Sequence, residues 1–170
     1  MDLKKTISNI KSLPVSLGDL DALLPPRCGT IQYKNLTQPR RQLFQSKDAY
    51  VVRIPSKNSK VGHFVVILAK RNHIEFFSST GGSIASEFKR LGADPTLMNR
   101  LVGQHFIHNT KPLQSNKDSI QDCSCWCLAR CYLRHLKLRE FQGLFNKSVN
   151  LQSSDDIVSV LCVLLLGSVK

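Results

Sequence analysis

Short apolar runs in the middle of the chain are separated by polar, turn-forming residues. Residues 50–54, 63–69 and 74–77 are rich in β-branched and aromatic side chains, and such runs are typical of strands. The connections between them are short, which favours an antiparallel meander. A fourth strand is predicted at residues 105–108. These runs predict a central sheet as the framework of the fold.

Helical periodicity precedes this sheet. Leu3, Ile7 and Ile10 recur at helical spacing, and this spacing predicts a helix over residues 2–13. A second, shorter helix is expected before the prolines at 25 and 26. Residues 27–48 mix turn-forming and basic side chains, so no element is predicted there.

Helices also follow the meander. Ser83 is a suitable N-cap and Gly92 a suitable stop for a helix over residues 84–91. The complete set of further predicted helices is 17–24, 94–101, 123–138 and 155–166. We therefore expect one α+β domain over residues 1–170, in which a mixed or antiparallel sheet, a three-strand meander plus one more strand, packs against helices.

Charge narrows the choice of partners. Lysine and arginine number 24 against 12 acidic residues, a formal net charge of +12. Such an excess favours a polyanion, and nucleic acid more than a membrane. The longest apolar run, residues 157–166, is about half of the roughly 20 residues that span a bilayer. We expect DNA as a partner, no membrane, and a monomer.

Six cysteines raise the question of disulfides. Four of them crowd into residues 123–131, where near neighbours are poorly placed to pair, and the N-terminus shows no secretory signal. A reduced, intracellular protein is the better interpretation. A zinc site is an alternative, although the Cys-x-Cys-x-Cys spacing is too short for one. Cys127 and Cys131 fit better as small buried residues on one helical face.

Cys123 differs from its neighbours in position. A polar run over residues 114–122 stops at this cysteine, and an apolar, helix-forming run follows. A cysteine in the first turn of a helix lies at the positive end of the helix dipole, which favours the nucleophilic thiolate. Cys123 is therefore predicted to attack a carbonyl carbon, for which it needs a histidine as base. Five histidines are available, and each alone is better explained as structural.

A combination of motifs favours His63. Val61-Gly62-His63-Phe64 opens a predicted strand, Glu75-Phe76-Phe77-Ser78-Ser79-Thr80-Gly81 ends the next, and Leu113-Gln114-Ser115 precedes Asp122-Cys123. In this order the chain resembles the adenain family of adenovirus-type maturation proteases, over about residues 49–138. The same clan includes the SUMO-specific proteases.

The resemblance implies a role for each matching residue. His63 would be the general base, Cys123 the nucleophile at the head of a long central helix, and Gln114 the oxyanion-hole donor, with Asn116 as the alternative. The family's acid, which orients the histidine, falls on Ser78. Serine can accept a hydrogen bond but supplies no charge, and Glu75 is expected to point to the opposite face of its strand.

Two further departures concern the nucleophile. Ser124 stands where the family usually has glycine, and the loop between Gln114 and Cys123 is a couple of residues longer than in adenovirus proteases. Serine is compatible with the site only where the backbone is ordinary and the side chain leaves the cleft open.

The family's function is carried over as an expectation. It is that of a thiol endopeptidase cleaving precursor proteins of a virus or virus-like element during particle maturation, in the virion and host nucleus. DNA and an activating peptide are the implied activators, and the chemistry needs no other cofactor and no metal. A deSUMOylase or deubiquitinase of the same clan is the first alternative. A catalytically silent, DNA-binding or scaffold protein that retains the fold is the second.

Overall fold

The computed structural model describes residues 16–115, 120–146 and 153–167. Its strands are β1 (Cys28–Gln32), β2 (Ala49–Ile54), β3 (His63–Ala69), β4 (Ile74–Phe77) and β5 (Phe106–His108). The helices of the described residues are α1 (Leu17–Leu23), α2 (Arg40–Leu43), α3 (Ile84–Leu91), α4 (Thr96–Val102), α5 (Ile120–Tyr132), α6 (Leu138–Gly143) and α7 (Ser154–Gly167). The helix predicted over residues 2–13 lies outside the described residues.

The five strands form one mixed sheet in which each strand pairs with the next in sequence. β2, β3 and β4 are antiparallel to one another, so the predicted meander is confirmed. β1 is parallel to β2, and β5 is parallel to β4. The meander therefore lies at the centre of the sheet, and the parallel strands form its edges.

Helices cover both faces of this sheet. On one face, Val66 of β3 belongs to the same buried cluster as Trp126 of α5. On the other face, Val65 of β3 belongs to a second cluster with Phe88 of α3. Neighbouring residues of β3 thus enter opposite cores, as strand geometry requires. The α+β class predicted from the sequence is confirmed, and His63 begins a strand that is buried on both sides.

Helix α3 forms where its local signals place it. The hydroxyl of Ser83 accepts a hydrogen bond from the backbone N–H of Ser86 at 3.2 Å, and Gly92 ends the helix in the left-handed region at φ 66°. The buried side chains of this helix include Ile84, Phe88 and Leu91, which hold it against the sheet. Glu87 is the other buried residue of this helix.

The prediction of one continuous helix over residues 123–138 is wrong. Helix α5 ends at Tyr132, and α6 begins only at Leu138. The buried guanidinium of Arg130 donates to the carbonyl oxygens of Leu133 and Leu136 at 2.8 and 3.0 Å. Arg130 thus supplies hydrogen bonds to carbonyl oxygens that lie just after the end of α5, and the Leu133 carbonyl oxygen also accepts from the backbone N–H of Leu136 at 3.0 Å.

The segment 27–48, for which no element was predicted, contains β1, a 3₁₀ turn and α2. Helix α7 confirms the predicted C-terminal helix within one residue at each end. It packs against α5 through the buried side chains of Val158 and Cys162. Within the described ranges, no helix has both the length and the apolar character needed to cross a membrane.

Candidate active site

Cys123 lies in the first turn of α5, which begins at Ile120. Its thiol accepts a hydrogen bond from the backbone N–H of Phe64, the residue that follows His63. The predicted nucleophile and the predicted base are therefore at the same end of β3. Ser124, which stands where the resembled family has glycine, is buried in the helix, and helical backbone accommodates serine without strain.

Burial dominates the chemistry of this thiol. The side chain of Cys123 is 0% exposed. Burial raises the pKa of Cys123 to about 12, and the hydrogen bond from Phe64 lowers it only in part. The expectation that the head of the helix favours a thiolate is wrong for this arrangement, because desolvation of the sulfur outweighs the helix terminus.

His63 is buried as well, at 3% exposure. Burial lowers the pKa of His63 to about 4; the positive charge of Arg90 acts in the same direction, whereas the carboxylate of Glu87 opposes it. At neutral pH the imidazole is uncharged. The thiol of Cys123 is uncharged at neutral pH as well, whereas an activated cysteine enzyme holds a thiolate beside an imidazolium.

Ser78 lies against His63, as the resemblance implies. Nε2 of His63 is 3.1 Å from the hydroxyl oxygen of Ser78. The backbone of Ser78 is clamped by Asn109, whose side chain accepts from the Ser78 N–H at 3.0 Å and donates to its carbonyl oxygen at 2.6 Å. The position of the family's acid is therefore held rigidly at the histidine, but a hydroxyl occupies it.

A second acidic side chain reaches this cluster from α3. The hydroxyls of Ser78 and Thr80 are 2.9 Å apart, and Thr80 donates to Oε1 of Glu87. The other oxygen of Glu87 is 3.8 Å from Nε2 of His63 and 2.7 Å from a guanidinium nitrogen of Arg90. The buried histidine thus has a carboxylate at hand, although Ser78 itself supplies none.

Gln114 is held beside the same loop. The hydroxyl of Ser79 donates to Oε1 of Gln114 at 2.6 Å, and the backbone N–H of Gln114 donates to the carbonyl oxygen of Ser79 at 2.9 Å. Since Oε1 faces Ser79, the NH₂ group of Gln114 is directed away from Ser79. Asn116, the alternative donor, lies outside the described residues.

Glu75 takes no part in the cluster around His63. Its carboxylate receives two hydrogen bonds from Arg130, at 2.7 and 2.9 Å, and both side chains are almost completely buried. The expectation that Glu75 does not replace the missing acid is consistent with this ion pair, because its charge is neutralised on the α5 side of the sheet.

Cys127 and Cys131 are small buried residues of the core, as the sequence predicts. They are 1% and 0% exposed, and all six cysteines are free thiols. Burial raises the pKa of Cys127 well above its ordinary value. Among the described residues no group of three or more histidine, cysteine or acidic side chains is arranged to hold a metal ion.

The sequence-based prediction missed Glu87 and Thr80. The sequence does carry a signal for Glu87, since it lies three residues after Ile84 and one before Phe88, within the apolar face of α3. An acidic residue inside such a face is rarely buried without a partner. Thr80 carries no comparable signal, because its role depends on the loop that follows β4.

Neither a protein-family model nor a curated protein matches the chain. Solved structures with a similar backbone arrangement include the following two. The central domain of the uncharacterized Lpg1148 protein from Legionella pneumophila aligns with a TM-score of 0.49 and 14% identity, over 91% of this chain and 96% of that one. SUMO protease Ulp1 with its catalytic cysteine oxidized to a sulfinic acid aligns with a TM-score of 0.45 and 13% identity, over 96% of this chain and 83% of that one.

Proposed function

We propose that the protein is a cysteine endopeptidase of the adenain type, in which Cys123 is the nucleophile, His63 the base and Gln114 the oxyanion donor. The observation that carries the proposal is the buried polar cluster around His63. Burying a histidine, two hydroxyls and a carboxylate in one core costs free energy that apolar side chains would not. A cluster of this kind, beside a cysteine in the first turn of a helix, is typical of a reaction centre.

The proposed reaction has two stages. The Cys123 thiol gives its proton to Nδ1 of His63, and the sulfur attacks the peptide carbonyl carbon. The NH₂ group of Gln114 stabilises the oxyanion that forms, and one such donor is typically worth about 3 kcal/mol. His63 then protonates the leaving amine as the C–N bond breaks, and water activated by His63 hydrolyses the thioester.

The described arrangement is a closed one, since Cys123 and His63 are both shielded from solvent. The reaction therefore requires that a substrate or an activator opens the site and brings Nδ1 of His63 within reach of the sulfur. An activating peptide, or DNA, is the kind of partner the family resemblance suggests for this step.

Peptide cleavage tests the proposal. Purified protein would be incubated with glycine-containing precursor peptides, with and without DNA, and cleavage followed by mass spectrometry. We expect cleavage by the unaltered chain and by Cys127→Ala, a matched control one turn further along α5 and equally buried. Cys123→Ala and His63→Ala should be inactive. Equal cleavage by Cys123→Ala, or no cleavage by the unaltered chain under any condition, would overturn the proposal.

The substrate we propose is a precursor protein of a virus or a virus-like element. A ubiquitin-like C-terminus is the alternative substrate within the same clan. A ubiquitin-like protein with a C-terminal electrophile discriminates the two. Faster labelling of Cys123 by that probe than by a precursor-derived peptide electrophile would favour the deSUMOylase or deubiquitinase.

A catalytically silent protein is the second candidate, and one observation favours it. The thiol has a pKa of about 12 and the imidazole a pKa of about 4, so neither is charged near neutrality. A silent protein would give no cleavage with either substrate class and no labelling of Cys123 by either electrophile. Labelling that is lost in His63→Ala would rule this candidate out.

A basic surface supports DNA as a partner. A cavity of about 590 Å³ is lined by the cations Lys70, Lys137 and Arg139, together with two histidines, the Glu75 carboxylate and the side chains of Ile107, Leu138 and Gln142. Cations grouped in this way suit contacts to successive phosphates. We expect affinity for duplex DNA to fall steeply with salt, and Lys137→Gln combined with Arg139→Gln to reduce the slope of log K against log salt by about 2. A flat salt dependence would remove DNA from the proposal.

A further inference from the structure

The carboxylate of Glu87 is ionised although it is buried at 3% exposure. Burial acts to raise the pKa of Glu87, but the hydrogen bonds from Thr80 and Arg90 outweigh it and leave the pKa below its ordinary value. An ionised carboxylate can only accept hydrogen bonds. This fixes the direction of every hydrogen bond that leads to it.

The direction can be followed back to the histidine. Thr80 donates its one hydroxyl hydrogen to Glu87, so its oxygen must accept from Ser78. Ser78 then has no hydrogen left for the imidazole and must accept from Nε2 of His63. Nε2 therefore carries the proton, and the lone pair of the neutral ring lies on Nδ1.

We propose that Glu87 is the acid of this site, a positioning residue that fixes the tautomer of His63 through Thr80 and Ser78 and faces the ring with its charge. This role rests on the proposed peptidase function, and it deepens that function by assigning the acid to α3. The resembled family carries its acid at the position of Ser78. Here the carboxylate approaches from a different element, and two hydroxyls span the gap.

The local backbone is built to admit the carboxylate. A Cβ at Gly82 would overlap Oε1 of Glu87 and Oγ of Ser86, so the absence of a side chain at position 82 leaves room for the acid. Arg90 donates to Oε2 of Glu87 at 2.7 Å from the next turn of α3. The charged groups that act on His63 from the elements around it are thus Glu87 and Arg90, both of α3.

The charge of Glu87 matters when the ring is protonated. As Cys123 transfers its proton to Nδ1, the imidazolium that forms has a carboxylate 3.8 Å from its far nitrogen. That carboxylate stabilises the positive charge, and the hydroxyl chain keeps the ring from turning away. Ser78 alone could hold the ring in place but could not stabilise its positive charge.

Glu87→Gln tests the inference, with Glu75→Gln as the matched control. Both glutamates are buried and paired with an arginine, but only Glu87 is connected to His63. We expect Glu87→Gln to lower kcat/KM by about 100-fold, within the range of general acid–base effects. Glu75→Gln should leave kcat/KM within about threefold.

The tautomer of His63 provides a readout that a merely structural role would not change. In ¹⁵N-labelled protein, the Nε2–H form should dominate for the unaltered chain and for Glu75→Gln. It should become a mixture in Glu87→Gln and in Thr80→Val, which removes the hydroxyl but keeps the volume. Glu140→Gln, on the exposed first turn of α6, serves as a further control if Glu75→Gln does not fold.

The outcomes separate the two proposals. An unchanged tautomer in Glu87→Gln, or unchanged kcat/KM in an active protein, would overturn the role of Glu87. Failure of the unaltered chain to cleave any substrate would overturn the peptidase function alone, because the tautomer experiment needs no activity. A mixed tautomer in both Glu87→Gln and Thr80→Val supports the hydroxyl chain in either case.

Discussion

The chain buries two glutamates, each paired with an arginine, and they differ in what else they contact. The carboxylate of Glu75 is held by both ends of the Arg130 guanidinium. Arg130 is 0% exposed, gives its other hydrogen bonds to the carbonyl oxygens of Leu133 and Leu136 between α5 and α6, and lies over the ring of Phe141 at 5.0 Å. Every group of this pair is satisfied within the core.

The pair of Glu87 and Arg90 is more open. Arg90 is 29% exposed and holds only one oxygen of Glu87. Nε of Arg90 is buried and has no hydrogen-bond partner among the described residues. The other oxygen of Glu87 accepts the hydrogen bond from Thr80, which connects Glu87 to His63 through the hydroxyl of Ser78.

The difference shows how one kind of ion pair takes two roles. Glu75 and Arg130 neutralise each other and fix the end of α5, so their role is structural. Glu87 is only partly neutralised by Arg90, and the remaining charge is directed at a histidine. We expect changes at the first pair to alter stability without altering His63, and changes at the second to alter His63 more than stability.

The largest expected effect is that of Arg130→Met. This change leaves the Glu75 carboxylate buried without its partner, which typically costs about 3–5 kcal/mol in the free energy of unfolding. Urea denaturation at pH 7 measures it. The tautomer of His63 should not change in the fraction that remains folded.

The double variant Glu75→Leu with Arg130→Met provides the control. It removes both charges, and apolar replacement of a buried pair is often close to neutral. Part of the loss should remain, because the carbonyl oxygens of Leu133 and Leu136 each lose the hydrogen bond that they accept from Arg130. A double variant no more stable than Arg130→Met would contradict the structural role of the pair.

The second effect is a pH dependence that belongs to His63. The pKa of His63 is about 4 in the folded chain, against about 6.5 in an unfolded one. Between these values the unfolded chain binds a proton that the folded chain does not, so stability falls as the pH falls. The loss develops from pH 6.5 to pH 4 and reaches about 3 kcal/mol.

Urea denaturation at pH 7, 5.5 and 4 measures this loss. In His63→Asn, the loss of unfolding free energy between pH 7 and pH 4 should be smaller by about 3 kcal/mol. His105→Asn, at an exposed position, should show the same loss as the unaltered chain. The pKa of Glu87 is also lowered, so its stabilisation is lost at acid pH too and has the same sign. An equal pH dependence in His63→Asn would contradict the assignment to His63.

The sequence predicted those parts of the fold whose signals are local. The bounds of α3 follow from a serine cap, an apolar stripe and a glycine stop, and the meander follows from β-branched runs with short turns. β1 was not predicted, since a five-residue edge strand that pairs with residues 49–53 has no local pattern that reveals its partner. The end of α5 depends on Arg130, whose contacts exist only after folding.

The candidate site also has parts that the sequence predicts and parts that depend on tertiary packing. The order of His63, Ser78, Gln114 and Cys123 is readable along the chain, and His63 and Ser78 lie in contact as that order implies. The burial that holds Cys123 as a thiol is set by how α5 packs on the sheet. Glu87 was missed because its role requires α3 to pack so that Glu87 reaches Thr80 in the loop after β4, and a motif read along the sequence does not contain this tertiary contact.

The smallest expected effect is that of Gly82→Ala, which tests whether Glu87 differs from Glu75 in its role. Gly82→Ala places a Cβ where Oε1 of Glu87 lies, and such overpacking typically costs about 1–3 kcal/mol. If Glu87 were another structural acid like Glu75, stability alone would change. We expect instead that displacement of the carboxylate also mixes the tautomers of His63 in the folded protein. Gly143→Ala, with nothing within 4 Å of its new Cβ, should leave that tautomer unchanged. An unchanged tautomer in Gly82→Ala would show that the hydroxyl chain tolerates movement of the acid.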